Sequence, residues 1–125
     1  MKVLSIEQMN RLKELGVDVK PKGTCLMYTS DSSDNYYLKY GESTCEDDVA
    51  AFSLQDVIEL LPKSIIINSV KHWIYVSQNC LLTEFQVMYV YGYDSYGVIK
   101  QNKSLLKAAY EMLLWVIENG YLKTK

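Results

Sequence analysis

Arginine and histidine are almost missing from this chain, with one of each, Arg11 and His72, among 125 residues. A nucleic-acid surface leans on clustered arginine and lysine. Here the lysines are scattered from Lys2 to Lys125, and 13 basic against 15 acidic side chains leave a net charge of −2, so no basic footprint is present and nucleic acid is not an expected partner. Any Ser-His-Asp or Cys-His device would have to use His72, and the residues around it, "VKHWIYVS", hold no nucleophile at a spacing that promises one. The motifs G-x-S-x-G, H-E-x-x-H, G-x-x-x-x-G-K-[ST] and G-x-G-x-x-G are absent, so no catalytic residue and no cofactor is expected. Long apolar runs are lacking too. The longest, Met112 to Ile117, is six residues, far short of the ~20 that cross a bilayer, and the amino terminus meets charge too early for a signal peptide. Three cysteines, Cys25, Cys45 and Cys80, make an odd number without C-x-x-C spacing, which suits reduced thiols and a cytoplasmic location.

What is present is an ordinary globular composition, 49% apolar and 22% charged, at a length suited to a single domain spanning residues 1–125. The first helix is announced by its ends. Ser5 caps it, Gln8 completes a capping box, Leu4 and Met9 can staple, and Gly16 stops it, with Val17 folding back on Leu12. In "AFSLQDVIELLP", Ser53 caps, Asp56 suits the helix dipole and Pro62 ends a second helix of about two turns. The third helix begins near Asn102 and ends at Gly120. Its polar positions Lys107, Glu111 and Glu118 keep to one narrow face, and Leu114 falls among them as an out-of-place apolar residue.

Between the first two helices, "TCLMYTS" and "NYYLKY" read as a hairpin; between the second and third, "SIIINSVKHWIYVS" and "LTEFQVMYVYGY", joined by "QNC", read as a longer one. The expected fold class is therefore α+β in the order α-β-β-α-β-β-α, an antiparallel sheet of about four strands with helices packed on one face.

Residues 31–42, "DSSDNYYLKYGE", place oxygen ligands at the first, third, fifth and twelfth positions of a calcium loop (Asp31, Ser33, Asn35, Glu42). The sixth position, which needs glycine for its sharp turn, is Tyr36, and both flanks read as strands rather than helices. A polar hairpin turn explains the same residues, and no metal is expected. In "GESTCEDDVA", Glu42, Glu46, Asp47 and Asp48 surround Cys45. Like charges adjacent in sequence repel, so they read as a solvated loop.

Eleven tyrosines are many for this length, and Tyr89, Tyr91, Tyr93 and Tyr96 crowd one region near Trp73 and Tyr75. If Trp73, Tyr75, Tyr89 and Tyr91 share an open sheet face they form a binding surface; if they line the core, their alternation is that of a half-buried strand. With Leu114, these four are the candidate binding residues.

The stretches "LSIEQMNRLKELGVD", "AFSLQDVIELLPKSI" and "SLLKAAYEMLLWVIENGYL" together resemble a group of small uncharacterised proteins of gut Bacteroides-type bacteria and their phages or mobile elements. That resemblance implies a bacterial, intracellular accessory protein and brings no activity with it. The expected role is non-enzymatic: binding a protein partner or self-association. Two other readings stay open, a small hydrolase or transferase built on His72 with a cysteine or carboxylate, and an aromatic-surface peptide or glycan binder.

Overall fold

A computed structural model describes residues 2–30, 35–79, 81, 83–92 and 95–122. Its chain divides into two compact units, Met1–Ser53 with Thr124–Lys125 and Leu54–Lys123.

In the first unit, α1 (Ile6–Glu14) starts where its capping chemistry dictates. The Gln8 N–H donates to Ser5 Oγ at 3.1 Å, and the Ser5 N–H donates to Gln8 Oε1 at 2.8 Å. The helix ends in a Schellman-type turn: Val17 N–H reaches Leu12 O at 3.0 Å across Gly16, whose φ of 93° is open to glycine at little cost. Leu4, Met9 and Leu12 are fully buried, each contributing about 1.5–3 kcal/mol over an exposed side chain.

β1 (Cys25–Ser30) and β2 (Tyr36–Gly41) form the expected antiparallel hairpin, paired from Cys25–Gly41 to Ser30–Tyr36. A two-residue strand, β3 (Val49–Ala50), then pairs with β1 through Met27–Ala50 and Tyr28–Val49, giving the order β2-β1-β3. The unit is closed by Tyr28, whose hydroxyl donates to Leu4 O at 2.6 Å, and by the Leu4 N–H, which donates to Phe52 O at 2.9 Å.

The second unit begins with α2 (Leu54–Leu60) and continues into four antiparallel strands, β4 (Ser64–Ile67), β5 (Val70–Gln78), β6 (Phe85–Gly92) and β7 (Ser95–Asn102), in simple spatial order β4-β5-β6-β7. α3 (Leu105–Glu118) follows, capped by Ser104 Oγ accepting from the Lys107 N–H at 3.3 Å. It packs on α2, β6 and β7. Ala108, Ala109, Met112, Leu113 and Val116 of α3 are buried, as are Val87 and Tyr89 of β6.

The α+β class holds, but a single four-stranded sheet is replaced by separate sheets of three and four strands. Besides β3, which completes the first sheet, two strands are added in the second. "SIIINSVKHWIYVS" is a hairpin rather than one strand, turning at Asn68 and Ser69, which carry φ of 51° and 68° between the paired Ile67 and Val70. Positive φ at both central residues is the signature of a type I′ turn, and Asn–Ser announces it less loudly than Asn–Gly. Second, "SYGVIKQN", which lies outside the expected strands, is a full edge strand.

An aromatic sheet face as the candidate functional site

Strand pairing decides which side chains share a face, because directly opposed residues point the same way and successive ones alternate. In the four-stranded sheet, Ser64, Trp73, Val90 and Tyr96 form one row across all four strands. Tyr75, Met88 and Ile99 form the next row on that face, and Ser77, Gln86 and Gln101 the one beyond. At the other end lie Ile66 and Lys71. The opposite face carries Ile65 and His72, Ile74, Tyr89 and Val98, and Val87, which is the side that includes the fully buried Val87 and Tyr89.

The first face is left open. Ile66, Trp73, Tyr75 and Tyr96 are each more than half exposed, at 63%, 52%, 55% and 55%. Its chemistry is graded. An apolar centre of Trp73, Tyr75, Tyr96, Met88, Val90 and Ile99 is bordered on one side by a hydrogen-bonded ladder, with Ser77 Oγ donating to Gln86 Oε1 at 3.4 Å and Gln86 Nε2 to Gln101 Oε1 at 3.0 Å. On the other side the Lys71 ammonium lies 5.5 Å from the centre of the Trp73 ring, close enough for a cation–π contact.

Trp73 and Tyr75 thus sit on the open face. Tyr89 does not: it is fully buried on the covered face, its hydroxyl donating to Pro62 O at 2.7 Å, and burial pushes its pKa well above the ordinary tyrosine value. Tyr91 belongs to neither group. It is exposed, yet its ring meets His72 edge-on with centroids 4.8 Å apart. Leu114 is only partly exposed, so the narrow polar stripe read from α3 does not leave it bare. Sequence reasoning missed Ile66 and Tyr96 as members of the face; locating β7 and the turn at Asn68–Ser69 is what assigns them to it.

His72 is packed into the sheet, 3% exposed, with Nδ1 2.8 Å from Val70 O. A Cβ added at Gly97 would fall 2.7 Å from His72 Nε2 and 2.8 Å from Ile67 Cδ1, so the imidazole fills the space that any larger residue at 97 would claim. The seat is made by two irregularities. Between Tyr89–Val98 and Val90–Tyr96, β7 holds one extra residue, Gly97; between Val90–Tyr96 and Gly92–Ser95, β6 holds one extra, Tyr91. The two residues left over by these bulges are the two that pack on His72. A ring enclosed in this way has no approach for a substrate, which removes support from a His72-based hydrolase. Cys80 and Tyr93 lie outside the described residues.

In the first unit the suggested calcium loop ends in strand geometry. Tyr36 at its sixth position begins β2, and β1 precedes it, while Asp31–Asp34 lie outside the described residues. The acidic stretch after β2 departs from the expected solvated loop at one position. Glu46 and Asp47 are exposed, but Asp48 is buried. Its Oδ2 accepts from Ser43 Oγ at 3.0 Å and from the N–H groups of Thr44 and Cys45 at 3.2 and 3.3 Å. The buried Thr29 hydroxyl, assisted by these donors, holds the carboxyl below the usual range against the opposing effect of burial. Asp48 therefore pins the turn at residues 43–45 through Oδ2, while its Oδ1 is buried without a hydrogen-bond partner among the described residues. Among the described residues, no group of three or more His, Cys, Asp or Glu side chains is arranged to hold a metal ion.

No helix among the described residues is long and apolar enough to cross a membrane. Comparison with protein-family models, with curated proteins and with solved structures gives no match, so the functional reading rests on the open aromatic face itself.

Proposed function

We propose that this chain is a non-enzymatic binding protein that recognises a protein partner through the open face of β4–β7. The observation that carries this reading is the arrangement of that face: an apolar centre in which Trp73, Tyr75 and Tyr96 are exposed, flanked by Ile66 and Lys71 at one end and by neutral hydrogen-bonding side chains at the other. Protein interfaces favour this organisation, aromatic anchors inside a polar rim, with few charges at the centre. Contiguous exposed apolar surface on such a scale also calls for an occupant in a way that single exposed side chains do not.

A protein surface fits better than nucleic acid. The face includes one cation, Lys71, already engaged with the Trp73 ring, whereas a nucleic-acid platform needs a basic track to follow phosphates. The setting we infer is the interior of a bacterial cell, within a phage or mobile-element programme, on the strength of the three resembling helical stretches. Affinity capture with the wild-type chain and with a Trp73→Ser/Tyr75→Ser double variant tests the reading. Both rings are exposed, so the variant should keep its fold by circular dichroism and lose a specifically captured protein. Identical captures from the two proteins would refute it, and tryptophan quenching by simple glycans with no captured protein would move the face to carbohydrate binding.

A further inference from the structure

A second surface, independent of the open face of β4–β7, lies on the free edge of the three-stranded sheet. Among the described residues, β2 pairs on one side only, with β1, and no strand lies opposite its other side. Such an edge is a template for another strand, and natural proteins usually blunt it with proline, several charges or a cover. Here Tyr36, Tyr37, Leu38 and Tyr40 are 41%, 52%, 47% and 72% exposed, and Lys39 is the single charge of the strand.

We propose that β2 pairs antiparallel with β2 of a second copy, about a two-fold axis through Leu38, joining the two three-stranded sheets into one continuous sheet of six. The occupant follows from the strand itself. In a two-fold antiparallel pair the opposed residues must point to the same face, which allows only registers centred on a residue. Centring on Leu38 sets Leu38 opposite Leu38, Tyr36 opposite Tyr40 and Tyr37 opposite Lys39. Leu38–Leu38 and Tyr36–Tyr40 are favourable cross-strand contacts, apolar and aromatic, and Tyr37 faces the aliphatic stem of Lys39. No like charges are opposed. The Lys39 ammonium already leans away toward Thr44 Oγ1 at 3.2 Å. The exposed parts of these four side chains amount to roughly 400 Å² per copy, taking ~200 Å² for a fully exposed aromatic side chain. Doubled to roughly 800 Å², this is the most these side chains can bury and falls below the ~1,200 Å² at which standard specific interfaces begin, so the dimer belongs with weak, reversible associations.

Sedimentation equilibrium across roughly 10 µM to 1 mM, a span suited to weak interfaces, should show a concentration-dependent dimer for the wild-type chain. A Leu38→Lys variant, which opposes two charges on the axis, should stay monomeric with an unchanged circular dichroism spectrum. Register is read separately by single cysteines. Opposed residues lie ~4.5–5.5 Å apart between Cα atoms, within disulfide reach. Leu38→Cys should therefore give a 38–38 linked peptide by mass spectrometry under mild oxidation. Tyr37→Cys should not, because its symmetry mate is offset by two residues. A chain that is monomeric throughout this range overturns the proposal, as does a dimer that survives Leu38→Lys or cross-links equally well at 37 and 38. A dimer lost only on Trp73→Ser would instead assign self-association to the other sheet, so this inference and the partner reading fail by different results.

Discussion

Replacing Gly97 by alanine adds one methyl group where the cost can be assembled from its parts. The new Cβ would stand 2.7 and 2.9 Å from His72 Nε2 and Cδ2, and 2.8 Å from Ile67 Cδ1. The Ile67 contact is the far end of a flexible side chain and can swing away cheaply. The imidazole cannot, because Nδ1 is fixed at 2.8 Å from Val70 O and Tyr91 blocks the ring edge-on. Forcing a methyl into such a site costs about 1–3 kcal/mol, while alanine's smaller unfolded-state entropy returns about 0.4–1 kcal/mol, so a net loss of about 1–2 kcal/mol is expected. Urea denaturation, followed through Trp73 and Trp115, measures it from the shift in midpoint at constant slope. The decisive comparison is the same substitution in a His72→Ala background. With the ring gone, Gly97→Ala should be neutral or slightly stabilising, leaving a coupling of about 1–2 kcal/mol between the positions. Equal losses in both backgrounds would show that the ring does not set the size limit at 97, and the packing argument for His72 would fail.

Three further outcomes are expected. Ser69→Gly should stabilise the chain by about 0.5–1 kcal/mol, since the left-handed conformation at Ser69 costs about 1–2 kcal/mol and glycine's extra freedom when unfolded takes back part of the gain; thermal melting reads the effect, and a lower midpoint would contradict it. Tyr89→Phe removes the buried hydroxyl that serves Pro62 O and should cost about 1–2 kcal/mol in the same denaturation assay. Asp48 has a folded pKa below its unfolded value, so its stabilisation is complete above about pH 5 and fades as pH falls through ~3.9 toward the lower folded value. Asp48→Asn should therefore lose about 2 kcal/mol at neutral pH and flatten the acid limb of the stability–pH curve. The exposed Asp18, also held low by the Lys20 N–H and by Lys22, leaves a smaller residue of that limb.

The helices were legible in the sequence because their ends are written locally. Ser5 with Gln8, Gly16 with Val17 and Gly120 after α3 each encode a hydrogen bond that the structure contains. The β1–β2 hairpin was legible for a related reason, polar turn-formers set between branched and aromatic runs. Sheet membership was not. β3 is two residues long and exists through its pairing with β1, a relation between positions more than twenty apart that no local pattern announces. β7 carries its glycine at a bulge, which breaks the alternation that would have revealed it. Candidate site residues fared unevenly on the same grounds. Trp73 and Tyr75 share a face by their spacing of two, whereas the division of Tyr89 from them depends on which strand residues oppose it.

The paired bulges around His72 have a consequence best put in the language of crystal defects. One extra residue on β7 and one on β6 are dislocations of opposite sign: between them a single pair, Val90–Tyr96, is out of step, and beyond them Gly92–Ser95 resumes the register of Tyr89–Val98. Their far fields cancel, so the distortion stays beneath one imidazole. Either defect alone would propagate to the end of the ladder. A lineage carrying this fold can keep both extra residues or shed both, and the deletion of one is the step it cannot take without shifting the whole β6–β7 connection by a residue.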